Sequence, residues 1–187
     1  MKNILLLLVG PSGAGKSTFL DRALKDYPQL RDVITCTTRP MRTGESEGHP
    51  YFFLEESRFR DLIAQGHFVE WAEVHGKLYG VPESQLHEVW AQNCAVIMDI
   101  DIQGARTLMS KYKQSRCIFI TPPSIEALRQ RVIKREGKVP PDLDLRMENA
   151  KREMSLAHGF EFQVTNENFD NCYRDIQKII DETLGLH

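Results

Sequence analysis

A glycine-rich segment near the amino terminus constrains this chain more than any other feature of its sequence. The segment Gly10-Pro11-Ser12-Gly13-Ala14-Gly15-Lys16-Ser17 follows a continuous apolar run, Ile4 to Val9, and precedes a helical pattern that extends to about Lys25. Continuous hydrophobicity is typical of a parallel strand that is buried on both faces. Glycines after such a strand let successive backbone N–H groups turn inward around an anion, at the positive end of the following helix. The segment fits G-x-x-x-x-G-K-[ST] in full and predicts a loop that binds the phosphates of a nucleoside triphosphate.

Two side chains of this loop indicate how it would act. Lys16 can reach the β- and γ-phosphates of ATP, and the hydroxyl of Ser17 can bind the accompanying magnesium ion. The loop alone does not select a reaction, because kinases, switches and motors all use it. The residues predicted to bind ATP are Gly10, Pro11, Ser12, Gly13, Ala14, Gly15, Lys16, Ser17 and Thr18.

The spacing of the apolar runs predicts an α/β fold. Short apolar runs, including one at Val33 to Thr37, alternate with helical patterns, as in a parallel sheet with crossover helices. Residues 34–81 interrupt this alternation with a hairpin pattern around His75-Gly76, and predict an inserted subdomain with antiparallel strands. Residues 125–157 are polar, helical and rich in arginine, and predict a lid. The core would then comprise about residues 1–33, 82–124 and 158–187 of the 187-residue chain.

The composition argues against several functional classes. The formal net charge of −2 is unlike that of a general nucleic-acid-binding protein. The apolar run at the amino terminus is shorter than the roughly 20 residues that cross a bilayer. The four cysteines lie far apart, without the spacing of a zinc or redox site. We therefore expect reduced thiols in a cytoplasmic protein that acts on small molecules rather than on membranes or nucleic acids.

Two aspartates, Asp99 and Asp101, follow the apolar run that ends at Met98. Strand residues two apart project to the same side, so both carboxylates would lie at the carboxyl end of the strand if the chain stays extended. Ligands of open α/β sheets bind at that edge. Asp99 can then hold magnesium through water, and the other carboxylate can accept hydrogen bonds from a substrate. The alternative is two carboxylates in a solvated loop.

Arginines and tyrosines within residues 34–81 predict a second phosphate site. The planar guanidinium groups of Arg39 and Arg42 suit a phosphate monoester, and the hydroxyls of Tyr51 and Tyr79 could add donors. The alternative is that the two arginines are ordinary surface charges.

An acidic residue in an apolar run suggests what this second site recognises. Glu70 lies within Phe68-Val69-Glu70-Trp71, and a buried carboxylate needs a partner. The N1–H and N2 amine of guanine together donate to such a carboxylate, whereas adenine has no such pair of donors. The alternative is that Glu70 faces water on an edge strand.

Arginines also mark the predicted lid, at Arg129, Arg131, Arg135 and Arg146. Arg131 and Arg135 are four residues apart and share a helical face. Arginines on a closing lid can stabilise the charge of a transferring phosphoryl group and exclude water. A solvated helix face is the alternative that spacing leaves open.

Taken together, these motifs resemble the guanylate kinase family, and the resemblance extends over nearly the whole chain. It implies a P-loop nucleoside monophosphate kinase fold with a parallel-sheet core, an inserted monophosphate-binding subdomain and a mobile lid. It also implies the reversible, magnesium-dependent reaction of ATP with GMP. The segments that carry it, in chain order, are Gly10 to Ser17, Thr37-Thr38-Arg39 to Gly44-Glu45 with Tyr51, Phe68 to Glu73, Tyr79-Gly80, Asp99 to Ala105 and Phe119 to Ser124.

The resemblance implies roles residue by residue. Lys16 and Ser17 would serve the ATP phosphates and magnesium. Asp99 would share in binding the magnesium ion. The GMP phosphate would be held by Arg39, Arg42, Tyr51 and Tyr79, with Glu45 supporting that site, and guanine would be recognised by Thr35, Glu70 and Asp101. The catalytic cations would be Lys16, Arg39, Arg131, Arg135 and Arg146.

Two departures from the family pattern stand out. Val81 follows Tyr79-Gly80 where the family usually has serine or threonine, and the lid reads Arg135-Glu136-Gly137 where the family usually has Arg-Gly-Thr. Two other functions fit parts of the sequence. One is a P-loop kinase for another small phosphorylated acceptor, such as a sugar phosphate. The other is a guanylate kinase-like module that binds phosphorylated partners without catalysis, although such modules typically have degraded phosphate loops.

Overall fold

The computed structural model describes residues 3–42, 44–74 and 76–186. Its strands are β1 (Leu5–Val9), β2 (Leu30–Arg31), β3 (Thr35–Thr37), β4 (Tyr51–Phe53), β5 (Phe68–Val74), β6 (Lys77–Pro82), β7 (Ala95–Asp99), β8 (Ser115–Thr121) and β9 (Phe162–Thr165). Its helices are α1 (Lys16–Asp26), α2 (Glu56–Ala64), α3 (Glu83–Ala91), α4 (Ile102–Lys111), α5 (Ile125–Glu136), α6 (Leu143–Ser155) and α7 (Phe169–Leu184). In this part of the chain, no helix is long and apolar enough to cross a membrane.

The core is a five-stranded parallel sheet with the strand order β2-β7-β1-β8-β9. Its central strand β1 is fully buried, as its continuous apolar run predicts. Alternate residues of β1 enter two separate apolar clusters, with Leu5 and Leu7 on one face and Leu6 and Leu8 on the other. Helices therefore cover both faces of the sheet, and the predicted α/β class is confirmed.

The flanking helices pack through the apolar stripes that their sequences predict. On one face, Phe19 of α1 and Ile176 and Ile180 of α7 join the cluster around Leu6. On the other face, Leu86 of α3 and Leu108 of α4 join the cluster around Leu5. Helix α4 has no counterpart among the elements predicted from the sequence.

A second, four-stranded sheet lies between β2 and α3 in the chain, with the order β4-β3-β6-β5. The predicted hairpin of β5 and β6 is antiparallel, although His75 in its turn lies outside the described residues. The expectation of purely antiparallel strands was wrong, because β4 pairs with β3 in parallel. The strand predicted from Val33 begins only at Thr35, since the N–H of Val33 donates to the carboxylate of Asp32 at 2.8 Å rather than to a neighbouring strand.

Helices α5 and α6 form a two-helix unit with a small apolar core of its own. Leu128 and Val132 of α5 pack there against Leu143 and Met147 of α6. The same two α5 side chains border the loop after β1, because a Cβ atom on Gly13 would lie 3.1 Å from both of them. This unit therefore rests directly on the loop.

Candidate active site

The loop between β1 and α1 adopts a conformation that its glycines make possible. Gly10 has a φ of 136°, and a Cβ atom there would lie 2.2 Å from the carbonyl oxygen of Ile120 in β8. A side chain at this position would force the loop away from the sheet. The first turn of α1 contains no acidic residue, and no side chain caps the amino terminus of the helix. The backbone N–H groups of this first turn therefore remain available to an anion.

Lys16 lies folded against this loop. Its ammonium group donates to the carbonyl of Gly10 at 2.6 Å and to that of Pro11 at 3.4 Å. Burial lowers the pKa of Lys16, while the nearby carboxylate of Asp99 raises it. The positive charge of the Lys16 ammonium is thus only partly balanced by Asp99, which favours the binding of a phosphate. Ser17 is exposed in the same turn.

Asp99 and Asp101 lie two positions apart at the carboxyl end of β7 and have different local roles. Asp99 ends β7 and is half-buried. Asp101 caps α4, where its Oδ1 accepts from the N–H groups of Gln103 at 2.8 Å and Gly104 at 3.0 Å. Both carboxylates raise the pKa of Lys16. The capping role explains how the chain leaves the extended conformation directly after the second aspartate.

The hydroxyl of Ser17 and the carboxylate of Asp99 form a donor set that fits magnesium. Magnesium prefers oxygen ligands and is usually held by one or two carboxylates together with water and substrate phosphates. Among the described residues, no group of three or more His, Cys, Asp or Glu side chains could hold a metal ion. An ion at this position would therefore depend on the bound nucleotide for much of its coordination.

Asn166 is a site residue that the motif reading missed. Its buried side-chain N–H donates to the carbonyl of Ala14 in the loop at 2.8 Å, and its backbone carbonyl accepts from Nη2 of Arg131 at 2.7 Å. Its backbone N–H donates to the carbonyl of Thr121 at 2.8 Å. The available signal was its position directly after β9, because strand ends of a parallel sheet meet at the ligand-binding edge. Asn166 therefore joins the loop to the two-helix unit.

Replacing Asn166 with alanine is expected to lower the free energy of unfolding by about 1–3 kcal/mol, because a buried hydrogen bond is lost. The looser loop should also raise the KM for ATP. Urea unfolding and steady-state kinetics would measure both effects. Asn171→Ala is the matched control, since Asn171 is exposed on α7, and equal behaviour of the two variants would contradict the role given to Asn166.

The predicted lid arginines have different environments. One guanidinium nitrogen of Arg131, Nη1, is buried and has no hydrogen-bond partner among the described residues. Arg135 and Arg146 pair with Glu136 at 2.9 Å and 3.4 Å, respectively. Arg129 instead pairs with Asp144 and so links α5 to α6. The positive charge of Arg135 lowers the pKa of Lys16, so this part of the unit lies within electrostatic reach of the loop.

The second sheet brings together most of the predicted phosphate site. Arg39 donates to both carboxylate oxygens of Glu45 at 2.8 Å, and this pairing lowers the pKa of Glu45. The Arg39 guanidinium carbon lies 5.1 Å from the ring centre of Tyr51, which packs edge-on against Tyr79 at 5.9 Å. Arg42 is exposed and joins the group through its backbone N–H, which donates to Glu45 at 2.7 Å. The side chain of Arg39 is therefore already oriented without a ligand.

Glu70 does not face water. Its side chain is buried at 6% exposure, and Oε1 has no hydrogen-bond partner in the described part of the chain. Burial raises the pKa of this carboxyl to about 8, with a further contribution from Asp101, while Lys111 acts in the opposite direction. Helix α4 can approach only because residue 104 is glycine, since a Cβ there would lie 2.8 Å from Cδ of Glu70. The carboxyl is thus held in place without a partner.

Two other residues of the predicted base site lie on the sheet that contains Glu70. Val81 lies opposite it in the ladder of β5 and β6 and is buried at 2% exposure. Thr35, at the start of β3, is half-buried. An apolar wall beside an unpartnered carboxyl suits a flat ligand that carries paired donors on one edge.

Asp99 connects the two anion sites. Its charge raises the pKa of Tyr51, after the larger effect of burial, as it also raises that of Lys16. The carboxylate is therefore within electrostatic reach of both the loop and the arginine–tyrosine group. A phosphate loop after β1, an arginine–tyrosine group on a second sheet and a two-helix unit over the loop are the parts expected of a nucleoside monophosphate kinase.

Comparisons with known proteins identify the family. The family model described as guanylate kinase matches residues 2–183. A guanylate kinase of Bdellovibrio bacteriovorus is 44% identical over 99% of this chain and 100% of its own length. One of Thermotoga maritima is 38% identical over 96% of this chain and 87% of its own. The crystal structure of guanylate kinase from Anaplasma phagocytophilum superposes with a TM-score of 0.77 at 29% identity, covering 96% of this chain and 84% of that one. The chain belongs to the guanylate kinase family.

Proposed function

We propose that this protein transfers the γ-phosphoryl group of ATP to GMP or dGMP in a reversible, magnesium-dependent reaction. The observation that carries the choice of acceptor is the buried carboxyl of Glu70, whose Oε1 has no hydrogen-bond partner among the described residues. Glu70 and Tyr51 lie on strands of the same sheet, and Arg39 follows its strand β3, so we expect one ligand to contact both the carboxyl and the cation.

Guanine is the base that satisfies Glu70. Its N1–H and N2 amine are adjacent donors, and both would face the carboxylate oxygens. Adenine would place the N1 lone pair against the carboxylate. Asp101 and Thr35 would supply further polar contacts to the base, and Oδ2 of Asp101 is the oxygen not used for capping α4.

The acceptor phosphate would be bound by Arg39, Arg42, Tyr51 and Tyr79. Glu45 holds Arg39 through two hydrogen bonds, which limits its rotamers before the ligand arrives. The acceptor phosphate is already an anion, so its oxygen can attack the γ-phosphorus of ATP without a general base. The enzyme then has mainly to align the two phosphates.

The donor phosphates would be bound by the loop Gly10 to Thr18, with Lys16 on the β- and γ-oxygens. Ser17 and Asp99 would hold magnesium, which neutralises charge on the ATP phosphates when it is bound. Residues 125–157 would act as the lid, and residues 34–81 as the GMP-binding subdomain. Arg131, Arg135 and Arg146 would stabilise charge on the transferring group and, with the closed lid, exclude water.

This activity places the protein in purine nucleotide metabolism, and we expect it to act in the cytoplasm. The four buried free thiols are consistent with a reducing compartment. Its partners would be small molecules, ATP and GMP, rather than nucleic acid or membrane.

Val81 gives a test of base selectivity. Val81→Ser would restore a hydroxyl at the position where related sequences usually have one. We expect GMP to bind more tightly by about 0.5–1.5 kcal/mol, the net value of one hydrogen bond. Calorimetric titration with GMP and with AMP would measure the change. An equal effect on both nucleotides would contradict a base contact from this position.

The proposed reaction is tested by product analysis. Purified protein with magnesium ATP and GMP should give ADP and GDP in equal amounts, and little ADP when GMP is left out. Turnover with a sugar phosphate but not with GMP would favour the other kinase function. Binding of GMP without turnover would favour a non-catalytic module.

A further inference from the structure

Glu136 lies between two of the lid arginines. One of its carboxylate oxygens, Oε1, accepts from Nη2 of Arg135 at 2.9 Å and from Nη1 of Arg146 at 3.4 Å. We propose that Glu136 is a built-in counter-ion that occupies these two arginines in the nucleotide-free lid and competes with the phosphates of ATP for them. This inference rests on the proposed function, in which both arginines bind the transferring phosphoryl group.

The position of Glu136 in the fold makes this contact possible. It is the last residue of α5, and Gly137 then turns the chain in the left-handed conformation, with a φ of 69°. Arg146 projects from the second turn of α6, where its Nε also donates to Asp142 at 2.9 Å. The carboxylate therefore joins the two helices of the lid through their arginines.

The shared oxygen offsets the repulsion between two guanidinium groups. Two like charges held close together are unfavourable unless an anion lies between them. A phosphoryl group would fill the same role better, since it carries more negative charge and three oxygens. The present pairs are easily exchanged, because the side chains of Arg135 and Glu136 are 45% and 33% exposed, and water screens such contacts.

Arg135 is within electrostatic reach of the loop that would bind the donor phosphates, and Glu136 links it to Arg146. Arg135 is close enough to lower the pKa of Lys16, the loop lysine. A carboxylate on Arg135 and Arg146 would therefore repel the incoming γ-phosphate and also occupy its donors. ATP binding must then displace Glu136 from at least one arginine.

The sequence Arg135-Glu136-Gly137 places a carboxylate directly after one arginine of the lid, at the turn that leads to α6. Glu136 is therefore expected to adjust ATP affinity in this protein without contacting the acceptor.

Glu136→Gln tests the proposal, since it removes the charge and keeps the size. We expect the Kd of magnesium ATP to fall by about two- to fivefold, the range expected for an exposed ion pair. The gain should shrink as salt is added. The KM for ATP should fall in the same ratio, and the Kd of GMP should stay unchanged. Glu136→Asp, which keeps the charge, should return ATP affinity toward that of the unsubstituted protein.

Two further variants complete the test. Glu148→Gln removes the same charge on α6, where Glu148 pairs with Arg152, and it should leave ATP affinity unchanged. Arg146→Ala should weaken ATP binding. Unchanged or weaker ATP binding by Glu136→Gln, or equal gains from Glu136→Gln and Glu148→Gln, would overturn the inference alone. Unchanged ATP binding by Arg146→Ala would overturn the lid role of the arginine and the inference with it.

Discussion

Lys16→Ala is expected to lower kcat by about 10²- to 10³-fold or more, the effect of removing one group that stabilises a charged transition state. Lys16 is the cation of the loop, held at 2.6 Å from the carbonyl of Gly10. In the variant, the negative charge that develops on the β–γ bridging oxygen during transfer would no longer be stabilised by the ammonium of Lys16. Rapid-quench measurement of a single turnover would separate this loss from any change in product release.

The same variant should leave GMP binding nearly intact. The side chains proposed to bind GMP lie mostly on the second sheet, and none of the hydrogen bonds of Lys16 reaches them. Lys25→Ala is a suitable control, because Lys25 is exposed in the last turn of the same helix. Residual turnover of Lys16→Ala within tenfold of the unsubstituted protein would contradict the role given to the loop.

Glu70→Gln is expected to weaken GMP binding by about 10- to 100-fold, which is the value of hydrogen bonds to a charged group. The amide would keep one acceptor but would place an N–H₂ donor against the donors of guanine. Glu73→Gln is the matched control, because Glu73 is exposed on the same strand. Calorimetric titration of both variants with GMP would measure the difference.

The pH dependence of GMP binding gives a second test of Glu70. Its pKa is raised to about 8 without ligand, whereas guanine requires the charged carboxylate. GMP binding below that pH must therefore release a proton, and affinity should rise by up to about tenfold per pH unit until it levels off near the pKa. The phosphate of GMP also titrates, so Glu70→Gln serves as the reference. This variant should keep the pH dependence that comes from the phosphate and lose the part that comes from Glu70. Identical pH profiles for the two proteins would contradict the proposed contact.

The same pKa determines how Glu70 affects folding. The folded protein holds the proton of Glu70 up to about pH 8, whereas the ordinary value is 4.5. Between these values the folded state binds more protons than the unfolded state, so the contribution of Glu70 to stability is lost as the pH rises. Glu70→Gln should remove this loss and make the free energy of unfolding less dependent on pH in that range.

Local patterns predicted the parts of the site that depend on neighbouring residues. The loop, its strand and its helix follow one another in the sequence, and so do the strands of the β5–β6 hairpin. Arg39 and Glu45, six residues apart, also came together as the family resemblance implied. For the loop and the hairpin, glycine positions and the period of apolar residues were sufficient.

Contacts between distant parts of the chain could not be predicted in this way. Asn166 bonds Ala14 across 152 positions, and its place directly after β9 does not by itself indicate that partner. Helix α4 contains Gly104, although glycine is a weak helix former. Its presence is explained by the close approach of Glu70 from the second sheet, which leaves no room for a side chain. The parallel pairing of β3 and β4 is likewise not specified by the local sequence of either strand.

Acceptor preference tests the central claim most directly. The measurement is kcat/KM for ADP formation from magnesium ATP with GMP, dGMP, AMP, UMP and CMP as acceptors. We expect GMP and dGMP to exceed AMP by about 10²-fold or more, because a site built to accept hydrogen bonds from a substrate strongly rejects an analogue without those donors. Comparable values for GMP and AMP would contradict guanine recognition by Glu70, and with it the proposed function.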